Sequence, residues 1–178
     1  MARLSVVIYG NSILRRKMKS VENFEEAAEL VDDMFDTMYE ENGIGLAANQ
    51  IGKDLNLMVV DITHTDEWDT PFVFVNGKIL ERWGESVMEE GCLSLPEIRV
   101  EVRRAETVRL AYQDLSGKKH VNEYIGLMAR VIQHEMDHVN GRVITDHTSS
   151  LQKQRFGKRL KELEASHGKL SEAILKRN

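Results

Sequence analysis

Apolar residues recur along the chain with two different periods. Between residues 22 and 41 they fall at Phe24, Ala27, Val31, Met34, Phe35 and Met38 with acidic residues between, the spacing of one helix face. Asn42–Gly43, a pair that tolerates positive φ, ends that helix. The segment Gly43–Gly52 reads as a loop. Leu55–Ile62 and Phe72–Val75 are rich in Val, Leu and other strand formers and read as buried strands. Lys78–Trp83, Arg99–Arg103 and Thr107–Tyr112 alternate in part and read as further strands, and Asp114–Gly117 as a turn. Asn122 is predicted to cap a second helix, from about Glu123 to Asn140, which Gly141 closes. A third helix is predicted from about Ser150, with a break near Ser166–Gly168. Helix, strands, helix, helix predicts an α+β fold: antiparallel or mixed β-sheets packed around a central helix, with an N-terminal and a C-terminal helix outside.

Composition narrows the class. The chain has 178 residues, 42% apolar and 30% charged, without repeat or linker, which predicts one catalytic domain over residues 1–178. No apolar run reaches the length of a membrane span, and Leu4–Tyr9 is too short for a secretory core, so neither a membrane nor an export address is expected. One cysteine rules out an internal disulfide and fits a reducing compartment. The net charge of -5 is uneven: residues 151–178 carry eight Lys/Arg against three Asp/Glu. A basic helical tail over 149–178 suits either a solvated helix face or a polyanion such as RNA; nothing points to direct DNA binding.

The chemistry is concentrated in His134-Glu135-Met136-Asp137-His138, an H-E-x-x-H motif. Residues four apart share a helix face, so both imidazoles can reach one ion, and Glu135 can take a proton from water on it. Leu127, Val131, His134 and His138 form one stripe, and Ile125, Met128, Ile132 and Met136 an apolar row beside it. A helix so apolar is a core helix, where an unligated histidine pair would be costly. A catalytic ion needs a third protein ligand. Downstream candidates are His147, Glu162, Glu164 and His167; upstream stands Cys92, between Gly91 and Pro96, which taken alone also reads as a small core residue.

Three motifs in order, Gly43-Ile44-Gly45-Leu46-Ala47-Ala48-Asn49-Gln50, Glu90-Gly91-Cys92-Leu93-Ser94 and His134 to His138, give the chain a resemblance to peptide deformylase over nearly its whole length. The resemblance implies removal of the N-formyl group from the initiator methionine of nascent polypeptides in a bacterial-type cytoplasm. It implies Cys92, His134 and His138 as metal ligands, Glu135 as acid and base, and Gln50 with the Leu93 N–H as partners of the developing oxyanion. It implies Ile44, Met88, Leu127 and Val131 around the methionine side chain, and Gly45, Gly91 and Arg99 along the peptide. The implied native ion is Fe²⁺, with Zn²⁺, Ni²⁺ or Co²⁺ able to replace it, and the C-terminal helix is implied in contact with the ribosome near the exit tunnel.

Arg130 departs from the resemblance, standing where an aliphatic residue usually lines the methionine pocket. Its head can reach the pocket rim, or its stem can pack along the helix with the head in water. Asn42 stands at an often acidic position, which puts in doubt an ion pair with an arginine such as Arg104. Asp137 receives no role. Three rivals are weighed. A nucleotide-binding oxidoreductase reading of Gly43-Ile44-Gly45 suffers because that segment follows a helix, not a strand. A ribosome-docking module without chemistry is opposed by three intact motifs, and a generic metallopeptidase by an upstream cysteine ligand.

Overall fold

The computed structural model describes residues 4–175, with side chains placed as far as Ser166. Helix α1 spans Phe24–Glu40. The Asn23 side chain accepts from the Glu25 and Glu26 N–H groups, and those two acids sit where the helix dipole favours negative charge. Ala27, Val31, Met34 and Met38 form its buried stripe. The end is a Schellman turn: Asn42, at φ 56, donates to Tyr39 O, and Gly43 donates to Met38 O.

The strands are β1 (Gly45–Ala47), β2 (Leu57–Val60), β3 (Phe72–Trp83), β4 (Ser86–Gly91), β5 (Arg99–Arg104), β6 (Thr107–Gln113) and β7 (Lys119–Ile125). They form a five-stranded sheet, ordered β1-β2-β3-β6-β7, and a separate β4–β5 hairpin. Every pairing is antiparallel, so the mixed alternative is dropped. The expected strands Phe72–Val75 and Lys78–Trp83 are one strand with a bulge at Asn76–Gly77. Asn76, at φ 54, there exchanges side-chain hydrogen bonds with the Val21 backbone and donates to Gln113.

Helix α2 spans Gly126–Val139 and starts later than the pattern predicts. Residues 119–125 are strand, because Tyr124 packs against Phe72, Phe74 and Trp68 while its strand pairs with β6. Asn122 caps nothing; it donates to the Tyr112 hydroxyl. Gly126, at φ +64, turns the chain from strand into helix. Helix α3 spans Ser150–Leu175 without the expected break. Ser166 Oγ bonds back to Leu163 O, and an interior glycine costs a helix only ~1 kcal/mol.

Helix α2 is the centre of the molecule. Met128, Ala129, Val131, Ile132 and Val139 are buried against Phe74, Leu110 and Tyr124 of the five-stranded sheet. Helix α1 covers β1 and β2 through Val31, Met34 and Met38. Leu163 of α3 closes a third cluster with Leu95, Ile98 and Val143. Among the described residues no helix is long and apolar enough to cross a membrane.

Candidate metal centre

Two pieces of chain far apart in sequence meet at one point. Helix α2 presents His134 and His138, whose ring centroids lie 5.1 Å apart. Strand β4 of the hairpin ends in Gly91, and the next residue, Cys92, sets its Sγ 3.2 Å from His138 Nε2. Among the described residues this is the one cluster of three or more ligand-type side chains with its donor atoms within 4.8 Å of one another. A tetrahedral site with ordinary metal–sulfur and metal–imidazole bonds needs donors about 3.3–3.6 Å apart, so the cluster fits a divalent ion. Cys92 is thus brought to the histidine pair, whereas His147 is turned to Asp137 at 2.6 Å, and Glu162 to Arg159. The His167 side chain lies outside the described residues.

The electrostatics agree with that fit. Burial pushes the Cys92 thiol up, but the His138 charge and a hydrogen bond from His134 outweigh it and bring it down to about 5. Burial opposes charge on His134 as well, yet its bonds to Cys92 and Glu90 raise it well above the usual imidazole range. His134 Nδ1 lies 2.9 Å from Glu90 Oε2. A carboxylate can only accept, so Nδ1 carries the proton and Nε2 is left for a metal.

Glu90 is held in turn. Burial pushes its carboxyl up, but hydrogen bonds from His134 and Arg104 outweigh this and hold it far below the usual carboxylate range. Arg104 gives two bonds to Glu90, at 2.6 and 2.9 Å, and a third to Asp137 at 2.8 Å. The question raised by Asn42 therefore has a structural answer: Arg104 finds its acids at 90 and 137. Asp137, given no role from sequence, bridges Arg104 and His147. Glu90 is within reach of one rule, that a ligating histidine needs an acceptor for its second ring N–H.

Glu135 is 3% exposed, and its Oε2 has no hydrogen-bond partner. Burial raises its carboxyl pKa, partly offset by the His134 and His138 charges. Gly45 of β1 passes close by: a β-carbon there would stand 2.5 Å from Glu135 Oε1 and 2.7 Å from Val131 Cγ1, which is why the position is glycine. Gln50 lies in the single 3₁₀ turn after β1, where its Oε1 accepts from the Ala47 N–H at 2.9 Å. That bond fixes the amide, leaving Nε2 turned to Ser94 Oγ at 3.3 Å and Cys92 Sγ at 3.7 Å. Ser94, fully buried and unmarked in sequence beyond its motif, is a residue that sequence reasoning missed.

The cluster opens onto a cavity of about 510 Å³. Ile44, Gly45, Gln50, Met88, Gly91, Cys92, Leu93, Arg99, Leu127, Arg130, Val131, His134 and Glu135 are on its walls. Arg130 reaches this wall, but its head is already engaged. It is 5% exposed, and its head is neither in water nor free at the rim but bonded to Glu90 at 2.6 Å.

Comparison with known proteins agrees with the geometry. The family profile described as polypeptide deformylase matches residues 3–154. The chain is 45% identical over 160 residues to a peptide deformylase of Mesorhizobium japonicum, covering 89% of this chain and 91% of that one. It is 46% identical over 165 residues to one of Chromobacterium violaceum, covering 92% and 98%. Among solved structures, a peptide deformylase from Legionella pneumophila superposes with a TM-score of 0.84 at 38% identity, covering 94% of this chain and 98% of the other. One from Thermus thermophilus gives 0.86 at 36%, covering 92% and 99%.

Proposed function

The chain belongs to the polypeptide deformylase family, and we propose that Cys92, His134 and His138 hold the divalent ion its hydrolysis requires. The reaction is the family's: the N-formyl group is removed from the initiator methionine of nascent polypeptides, and formate is released. The observation that carries the site reading is the convergence of one thiolate and two imidazoles beside the unpartnered Glu135 carboxylate.

When bound, the ion supplies Lewis acidity toward the formyl oxygen and lowers the pKa of water. Glu135 takes a proton from water as the water oxygen attacks the formyl carbon, and burial, which raises its pKa, makes it the stronger base. Gln50 Nε2 and the Leu93 N–H donate to the formyl oxygen as charge builds there. Glu135 then returns the proton to the departing methionyl amine. Water's second proton stays with formic acid, which ionises in solution. Ile44, Met88, Leu127 and Val131 provide an apolar wall for the unbranched methionine side chain, and Gly45, Gly91 and Arg99 flank the peptide. Arg130 contributes no free head to this pocket.

Fe²⁺ is the proposed native ion, with Zn²⁺, Ni²⁺ and Co²⁺ compatible with a thiolate and two imidazoles. The whole chain acts as one catalytic domain. Nascent chains as substrate imply a cytoplasmic place of action in a bacterial-type cell. The exposed Lys153, Arg155, Lys158 and Lys161 of α3 support docking on the ribosome near the tunnel exit. Anaerobic purification with metal analysis, followed by formate release from a formyl-methionyl peptide, tests the site. One ion per chain is expected in the wild type and none in Cys92→Ala; a full metal complement in Cys92→Ala would refute the ligand assignment.

A further inference from the structure

The β4–β5 hairpin carries Met88, Gly91 and, at the start of its connecting loop, Cys92, yet it belongs to a different sheet from β1, β2, β3, β6 and β7. No strand ladder therefore fixes it relative to α2, which carries His134 and His138. Side chains have to do so, and Arg130 is built for it. It stands on α2 one turn before His134, and every hydrogen bond of its head crosses to the hairpin. Nη1 donates to Glu90 Oε1 at 2.6 Å and to Val102 O at 3.0 Å. Nη2 donates to Ser86 O at 2.9 Å and to Ser86 Oγ at 2.8 Å. Ser86 and Glu90 lie towards opposite ends of β4, and Val102 faces Met88 across the ladder. One planar fork thus grips the hairpin at both ends of one strand and in the middle of the other.

Its grip on Glu90 reaches the metal side. Glu90 Oε1 accepts from Arg104 Nε and Arg130 Nη1, and Oε2 from Arg104 Nη2 and His134 Nδ1. Each oxygen has both lone pairs filled, so the carboxylate cannot rotate without breaking two charged bonds. Arg104, Arg130, Glu90 and Asp137 are two positive and two negative side chains, none more than 16% exposed, so the clamp adds no net charge to the interior. Lysine, with a single ammonium and no planar fork, does not reproduce it.

We infer that Arg130 is a positioning residue: a buried cross-tie that sets the spacing of Cys92 from His134 and His138, and with it the width of the cleft between Met88 and Leu127. The inference rests on the reading of those three residues as metal ligands. Its test uses the Co²⁺-loaded wild type with Arg130→Met, which keeps the bulk of the stem, and Arg130→Lys. Two quantities are read: the rate of metal transfer to a chelator, and the preference for a formyl-methionyl over a formyl-phenylalanyl peptide.

Arg130→Met is expected to release metal about tenfold faster, and Arg130→Lys to fall between it and the wild type. The methionine preference is expected to drop about tenfold in Arg130→Met as the cleft loosens. Wild-type release rate and wild-type preference in a folded Arg130→Met would overturn the inference, whatever the loss in melting temperature. Should that variant not fold, Arg130→Lys is judged on the same two readings. Cys92→Ala keeps the two questions apart: if it releases Co²⁺ as slowly as the wild type, the ligand reading has failed, not the cross-tie.

Discussion

Two polar clusters meet at His134 and are satisfied to opposite degrees. Around Glu90, both carboxylate oxygens are fully engaged, and Arg104 spends its bonds on two acids. On the cavity side, Glu135 Oε2 is buried without a partner, and a thiolate stands 3.2 Å from an imidazole nitrogen. A buried polar atom without a partner is costly, and proteins concentrate that cost where a ligand or a reaction supplies the missing contact. The contrast teaches a division of labour. The saturated cluster holds still so that the unsatisfied one can be reactive without being mobile.

The reactive side is the more sensitive to substitution. Glu135→Gln keeps the shape and removes the base; formate release should fall by about 10³-fold while the metal content of the protein stays at one ion per chain. A variant retaining near-wild-type turnover would move the proton transfer elsewhere. On the saturated side, Glu90→Gln should act through the metal, lowering its affinity about 10- to 100-fold in a competition titration. The same variant should also differ from the wild type in its response to acid. The Glu90 carboxyl is held below its ordinary value of 4.5 in the folded chain. Its contribution is therefore complete above that pH and is lost as acidity carries the solution down toward the folded value. Melting of the metal-free wild type should weaken below about pH 4.5, with a flatter acid limb in Glu90→Gln.

The smallest effect on chemistry belongs to α3. Cutting the chain after Thr148 would strip Leu163 from Leu95, Ile98 and Val143, so the loss would mix docking with stability. Reversing the charges of Lys153, Arg155 and Lys158 to Glu leaves that packing in place. Hydrolysis of a short formyl peptide should be unchanged and ribosome affinity reduced several-fold in a salt-dependent manner. Equal affinity with and without the reversal would refute docking through this helix.

What could be read from sequence follows from how local each signal is. The H-E-x-x-H helix was legible because its apolar positions recur with helical period inside one segment. Lys119–Ile125 was not: its fate was decided by pairing with β6 and by Tyr124 entering an aromatic cluster, neither of which is local. Asn76–Gly77 has turn chemistry but sits in a bulge, because Val21 and Gln113 bind the Asn76 side chain in place. The partners of the Arg130 head are hidden for the same reason. Its partner Glu90 lies 40 residues away in sequence, and nothing in its neighbours along α2 announces it.

The near-contact at Gly45 bears on inhibition. Any replacement there, even alanine, drives a carbon into the Glu135 carboxylate and into Val131. Alanine at position 45 therefore has to push the Glu135 carboxylate out of its place, and turnover should fall with it. A ligand that lies against the bare backbone at position 45 meets a stretch of the cavity wall that tolerates no side chain without displacing Glu135 or Val131.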